Sequence, residues 1–307
     1  MKKENIKSSF LNKGFVDLGE ILNKNNCSDL LNNIQATRKW SKDLFRSENE
    51  VLKDPQIRKT NPGKGVCNLA ESYDLSFIEN NENFKEALEL IVGKEYEVIL
   101  KKFVVGMSDS WIPEWLKPII SKKLIANLGP FIKKEYRDVT YFRGIDYHMD
   151  LIDHPGLIGD YITLYVYLND VNKKMSPLHL IEGSHIFGAT KFPHHIKLNP
   201  KLENKIEYGS TKNNMKKLNK KILTGKSGTV YLWSAMTLHG TIPMDSDLPR
   251  ISLRYTIKMN QKLKNNQALV SKLLEETKGG LRLKVMQDDV DLKSKNLNQI
   301  KFNKVLK

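Results

Sequence analysis

The segment YITLYVYL, residues 161–168, constrains the fold more than any other part of this 307-residue chain. Tyr161, Thr163, Tyr165 and Tyr167 alternate with Ile162, Leu164, Val166 and Leu168. A period of two belongs to a β-strand with two different faces. Similar short runs occur at 134–143, 146–150, 177–182, 228–233, 236–242 and 250–258, separated by Gly, Pro, Asn and Asp. Short strands with long connections predict a mainly β sandwich or barrel, not a parallel sheet. Neither a dinucleotide-binding nor a phosphate-loop glycine motif is present, and no internal repeat is found.

Upstream, a strand at 14–18 precedes a helix marked by Leu22, Leu30, Leu31 and Ile34, with Asn25 or Asn26 as its N-cap. A second helix is predicted over 83–92, ended by Gly93, and a strand over 96–106. Residues 111–124 read as a helix kinked at Pro118. The Lys-rich stretch 202–226 interrupts the strands and reads as a surface insertion or lid. After Lys258 the pattern turns helical and ends in a basic tail.

Composition excludes several classes. At 40% apolar and 28% charged, the chain is neither wholly disordered nor a coiled-coil rod. No run approaches the roughly 18 apolar residues of a membrane span, and the positive start MKKENIKSSF has no apolar core after it. Cys27 and Cys67 are the only cysteines, too few for a disulfide framework or a cysteine-ligated zinc module. The cytoplasm is the expected compartment. The net charge of +15 admits an anionic partner. Only eight of the 50 basic residues are Arg, however, the residue best suited to forked phosphate recognition. Nucleic acid is therefore not the expected partner.

The chemistry concentrates in YHMD. On a strand, His148 and Asp150 project from one face and can reach one metal ion. A third ligand must come from elsewhere, and His239 in LHGT is the candidate. Two imidazoles and one carboxylate leave three positions open, the facial arrangement suited to Fe(II) and O2. Arg250 stands eleven residues beyond His239, at the start of RISLRYTIK. On an adjacent antiparallel strand its guanidinium would enter the same cavity and grip a carboxylate. A metal with open positions and a carboxylate clamp suit a 2-oxoglutarate cosubstrate, and Thr241 offers it a hydroxyl.

With GFV and a helix near the start, YHMD, SPLHLIEGSH, LHGT and PRISLRY, the chain resembles the phytanoyl-CoA dioxygenase family within the Fe(II)/2-oxoglutarate oxygenases. The resemblance covers most of residues 12–258 and implies a double-stranded β-helix with helices packed outside. It implies one oxygenase domain over 1–262, with a helical part at 1–130, a β-helix core at 131–262 and an insertion near 190–226. Residues 263–307 would form a basic helical tail. There are departures: Tyr147 precedes the first ligand where Trp is common, and SPLH replaces an Asn-Gly-x-Leu turn. Tyr141 and Lys133 are candidates for the family's further cosubstrate contact. Asp150 marks a hydroxylase, since halogenating relatives carry a small residue there.

The expected activity is hydroxylation of a small molecule or acyl-thioester, with 2-oxoglutarate and O2 consumed and succinate and CO2 released. Desaturation, cyclisation or epimerisation at the same centre, or a non-catalytic binding module, are the alternatives. Arg254 lies on the Arg250 face and lines the site or forms a surface ion pair. His185 shapes a loop, Trp233 packs between sheets, and the tyrosines of 161–167 fill the barrel or line a pocket. His154, His194 and His195 are solvated or near the substrate.

Overall fold

The computed structural model describes residues 2–38, 40–54, 68–121, 125–152, 159–190, 192, 194, 196–198, 204–209, 213–260 and 268–277. Twelve strands form one mixed sheet that folds back on itself. They are β1 Phe15–Glu20, β2 Tyr96–Gly106, β3 Ile125–Asn127, β4 Thr140–His148, β5 Tyr161–Tyr167 and β6 Leu178–Ile181. The rest are β7 Ile196–Leu198, β8 Lys205–Gly209, β9 Met215–Leu223, β10 Thr229–Ser234, β11 His239–Thr241 and β12 Arg250–Met259.

One wall runs β1-β10-β5-β12-β2 and the other β4-β11-β6-β9-β8-β7. A short parallel contact, Val104–Gly106 against Thr140–Phe142, joins them; every other strand pairing among the described residues is antiparallel. The interior is filled by Val104, Tyr165, Tyr167, Tyr231 and Trp233 from the first wall, with Leu178, Leu180 and Leu223 from the second. This is the mainly β architecture expected from the strand pattern, in the jelly-roll form that the family resemblance implies.

The alternation of β5 works as its sequence demands. Tyr165 and Tyr167 point inward, while Ile162, Leu164 and Val166 join Leu253, Tyr255 and Ile257 under the helices. The helices Lys3–Lys13, Lys24–Thr37 and Glu82–Val92 supply Phe10, Ile34 and Phe84 to that outer layer. Asn23 caps the second helix, two residues earlier than predicted, and Asn81 caps the third.

Two expectations fail for physical reasons. Of the helix expected over 111–124, the described residues 111–121 make no long helix: a 3-10 turn covers Asp109–Trp111, and a short helix covers Lys117–Ile120. Pro118 sits in the first turn of that helix, where its missing N–H costs nothing, so it starts a helix instead of kinking one. The Lys-rich stretch is not an excursion from the sheet, because β9 pairs with β6 from Leu178↔Leu223 to Ile181↔Lys220. Lysines at 216, 217 and 221 stay exposed. A lysine can cover a strand's outer surface with its stem, which hides the period-two signal. The helix Leu269–Glu276 falls in the region expected to be a helical tail and buries Leu269, Val270 and Leu273. Among the described residues no helix is long and apolar enough to cross a membrane.

Candidate metal centre

β4 and β11 bring the two histidines together. His148 and His239 are direct register partners, and their ring centroids lie 4.3 Å apart. The Nδ1 of His148 contacts the Asp146 carbonyl at 2.9 Å, and that of His239 contacts the Thr237 carbonyl at 2.9 Å. A carbonyl only accepts, so both Nδ1 atoms donate to the backbone, which fixes each ring. Asp150 does not continue the strand. β4 ends at His148, and Asp150 opens the 3-10 turn Asp150–Ile152. The carboxylate nevertheless arrives at the same point, with Oδ1 3.6 Å from His239 Nε2. One ligand atom from each of the three buried residues lies within 4.8 Å of the others.

Asp150 is held from two sides. Trp233 Nε1 donates to Oδ2 at 2.9 Å and Arg254 Nη2 donates to Oδ1 at 2.8 Å. Burial would raise this carboxyl, but His239, Arg254 and His148 outweigh it and hold the group well below the usual carboxylate range. Trp233 thus packs inside the barrel, stacked on Tyr165 at 5.1 Å, and also serves the site. Arg254 is a half-buried partner of the centre, not a surface ion pair. Its register partner on β2, Lys102, is buried; burial pushes that ammonium's pKa down, Asp138 opposes, and Arg254 adds to the fall.

Arg250 is 1% exposed and shares the inner face of β12 with Arg254. About 13 Å of strand separates their backbones. The expected adjacency is not observed: β12 pairs with β5 and β2, so β2 and β4 stand between it and β11. The strand still serves the interior because the sheet closes around it. Arg250 Nη1 donates to the Ser176 carbonyl at 2.6 Å. Ser176 has φ +50°, the only non-glycine among the described residues in the left-handed region. The SPLH turn therefore aims a carbonyl at the arginine. Arg250 Nε and the neighbouring Ser252 Oγ are fully buried without hydrogen-bond partners among the described residues. Ser252 was missed in the sequence; its place two residues after Arg250, on the same face, is the signal that marks it. Thr241 is half-buried, and its Oγ1 accepts the Ile145 amide at 3.1 Å where the β4–β11 register slips.

The N-terminal segment braces the centre. Gly14 accepts the Ser234 amide and, at 2.7 Å, the hydroxyl of Thr237, whose own carbonyl orients His239. Gly14 has φ +80°, and a Cβ there would lie 2.4 Å from His185 Nδ1, so only glycine fits. His185 is fully buried with Nε2 on the Leu11 carbonyl, the loop-shaping role expected of it. His194 is not solvated: it is buried between Phe192 and Tyr208, with Nδ1 3.0 Å from the Thr190 hydroxyl. Tyr141 lies in the outer layer, with Arg38 3.5 Å from its hydroxyl. Lys133 follows the turn at Gly129–Phe131, its amide bonded to Leu44. His154 and His195 lie outside the described residues.

No protein-family model and no curated protein sequence matches the chain. Solved structures do. A crystal structure of the epimerase SnoN in complex with Fe3+, alpha ketoglutarate and nogalamycin RO superposes with a TM-score of 0.52. The identity is 12%, over 84% of this chain and 83% of that one. A second structure of SnoN, described as a non-heme alpha ketoglutarate dependent epimerase from nogalamycin biosynthesis, gives 0.51 at 13% identity, over 84% and 80%. At these identities the likeness shows a shared fold.

Proposed function

We propose that the chain is an Fe(II)- and 2-oxoglutarate-dependent oxygenase of the phytanoyl-CoA dioxygenase type, acting on a small organic molecule or acyl-thioester. The observation that carries this reading is the convergence of the buried His148, Asp150 and His239, one ligand atom of each lying within 4.8 Å of the others, with both imidazoles fixed through Nδ1. Two imidazoles and one carboxylate are the donor set of a facial iron site. His148, Asp150 and His239 would hold the ion. When bound, iron and 2-oxoglutarate supply the oxidation of a substrate C–H bond, with succinate and CO2 as by-products.

The rest is work for the chain's own side chains. Arg250 Nε and Ser252 Oγ are buried donors without partners among the described residues, a state that costs about 1–3 kcal/mol each unless a ligand satisfies them. A carboxylate of 2-oxoglutarate fits both, and the Thr241 hydroxyl proton is a third donor for it. The Ser176 carbonyl keeps the guanidinium aimed. Tyr165 and Trp233 exclude water beside the metal ligands. Lys102 beside Arg254 favours an organic substrate that carries a negative group.

The reading is tested by succinate formation from 2-oxoglutarate in the presence of Fe(II) and O2. The protein should form succinate and its His148→Ala variant should fall to background, a loss of about 100-fold or more; equal rates in the two would refute it. Epimerisation is a second reading, favoured because the SnoN structures that share this fold are of an epimerase. Product analysis separates the two: hydroxylation adds an oxygen atom to the substrate and epimerisation does not.

A further inference from the structure

We infer that Trp233 and Arg254 are positioning residues for Asp150, a two-sided clamp that fixes the carboxylate as a metal ligand; this rests on the metal-centre reading above. The clamp is built from distant parts of the chain. Trp233 comes from β10 and Arg254 from β12, which lie on either side of β5. Their donors meet the carboxylate at 2.9 and 2.8 Å, one on each oxygen.

A carboxylate in a 3-10 turn needs such a clamp. The two histidines are fixed by backbone carbonyls two residues before each of them, within or beside strands that pair with one another. Asp150 has left the strand, so no ladder hydrogen bond sets its direction. Its side chain has two rotatable bonds, and an unheld carboxylate in a closed barrel would turn away from the imidazoles toward other donors. The indole blocks rotation from one side and the guanidinium from the other. Oδ1, the oxygen 3.6 Å from His239, has two acceptor sites. Arg254 uses one and leaves the other for an ion. Arg254 also balances the buried negative charge, whose isolation would be costly. Trp233 is itself locked by its stack on Tyr165 and its contact with the His239 ring at 5.1 Å. The clamp therefore couples both imidazole and carboxylate to one rigid aromatic wall.

The test is metal binding, measured on the full chain with Co(II) by calorimetry and by the visible absorption of the bound ion. The variants are Trp233→Phe, which keeps the ring and removes the donor, and Arg254→Lys, which keeps the charge and removes the fork. Each should weaken Co(II) affinity about 10-fold or more, the usual effect of losing a partner of a metal ligand. Each should also change the ligand-field spectrum, which a merely structural role would not move. The losses should be less than additive in the double variant, since both act on one carboxylate. If either variant fails to fold by circular dichroism, the other carries the test. Wild-type affinity and an unchanged spectrum in the folded variants would overturn the clamp. Absence of Co(II) binding in the wild type, or undiminished binding in His148→Ala, would overturn the metal-centre reading itself and the clamp with it.

Discussion

Two arginines on one face of β12 have opposite surroundings. Arg254 is committed: its Nη2 sits 2.8 Å from a buried carboxylate. Arg250, four residues earlier, is anchored by a single carbonyl, and its Nε and the adjacent Ser252 hydroxyl have no partner among the described residues. Buried polar groups are almost always satisfied, and the proposed cosubstrate carboxylate would satisfy this pair. The difference teaches how the barrel divides its labour. In the proposed reading the end at Asp150, where the protein bonds both carboxylate oxygens, takes the cation, and the end at Arg250 takes the anion.

The comparison breaks most visibly at Arg250. Arg250→Ala should raise the 2-oxoglutarate requirement about 100-fold, the loss expected for one side of a desolvated charge pair. Co(II) affinity should stay within about twofold, because Asp150 keeps both partners. A parallel collapse of metal binding would mean that the two ends are not separable.

A pH effect belongs to the Arg250 end. His179 on β6 is buried, and burial, with Lys220 and Arg250 adding, lowers its pKa from 6.5 to about 4. Between those values the unfolded chain takes up a proton and the folded chain does not. Stability should therefore fall as pH drops from about 6.5 to 4, by roughly 2–3 kcal/mol, and gain nothing from this group above pH 7. Urea unfolding across that range should show the slope, and His179→Gln should flatten it; an unchanged slope in the variant would assign the effect elsewhere.

The smallest expected effect is the sharpest. Ser252→Ala removes a hydroxyl that bonds to nothing among the described residues. Thermal stability should hold or rise slightly, while 2-oxoglutarate affinity falls about fivefold, near 1 kcal/mol. Lost stability with unaltered affinity would make Ser252 a structural residue.

Much of this was legible in the chain itself. From Ile162 to Tyr167 the apolar residues of β5 follow its alternation, and His148 and His239 meet because strand pairing puts them opposite one another. Asp150 reached the site for a reason the sequence pattern does not carry, since a 3-10 turn replaces the third strand position. The partners of Asp150 were equally hidden. Trp233 and Arg254 are 83 and 104 residues away, and only closure of the sheet brings their donors to one carboxylate. β9 was obscured by lysines that satisfy a strand's outer face without looking apolar. The glycine at 14 was visible, but its purpose was not: it gives His185 and Thr237 room behind the ligand strand.

The central claim is that one ion sits among His148, Asp150 and His239. Anomalous diffraction from crystals soaked in Mn(II) or Fe(II) tests it most directly. A single peak should lie at bonding distance from both Nε2 atoms and one Asp150 oxygen, with Arg254 and Trp233 still on the carboxylate. A metal bound elsewhere, or none at saturating concentration, would contradict it.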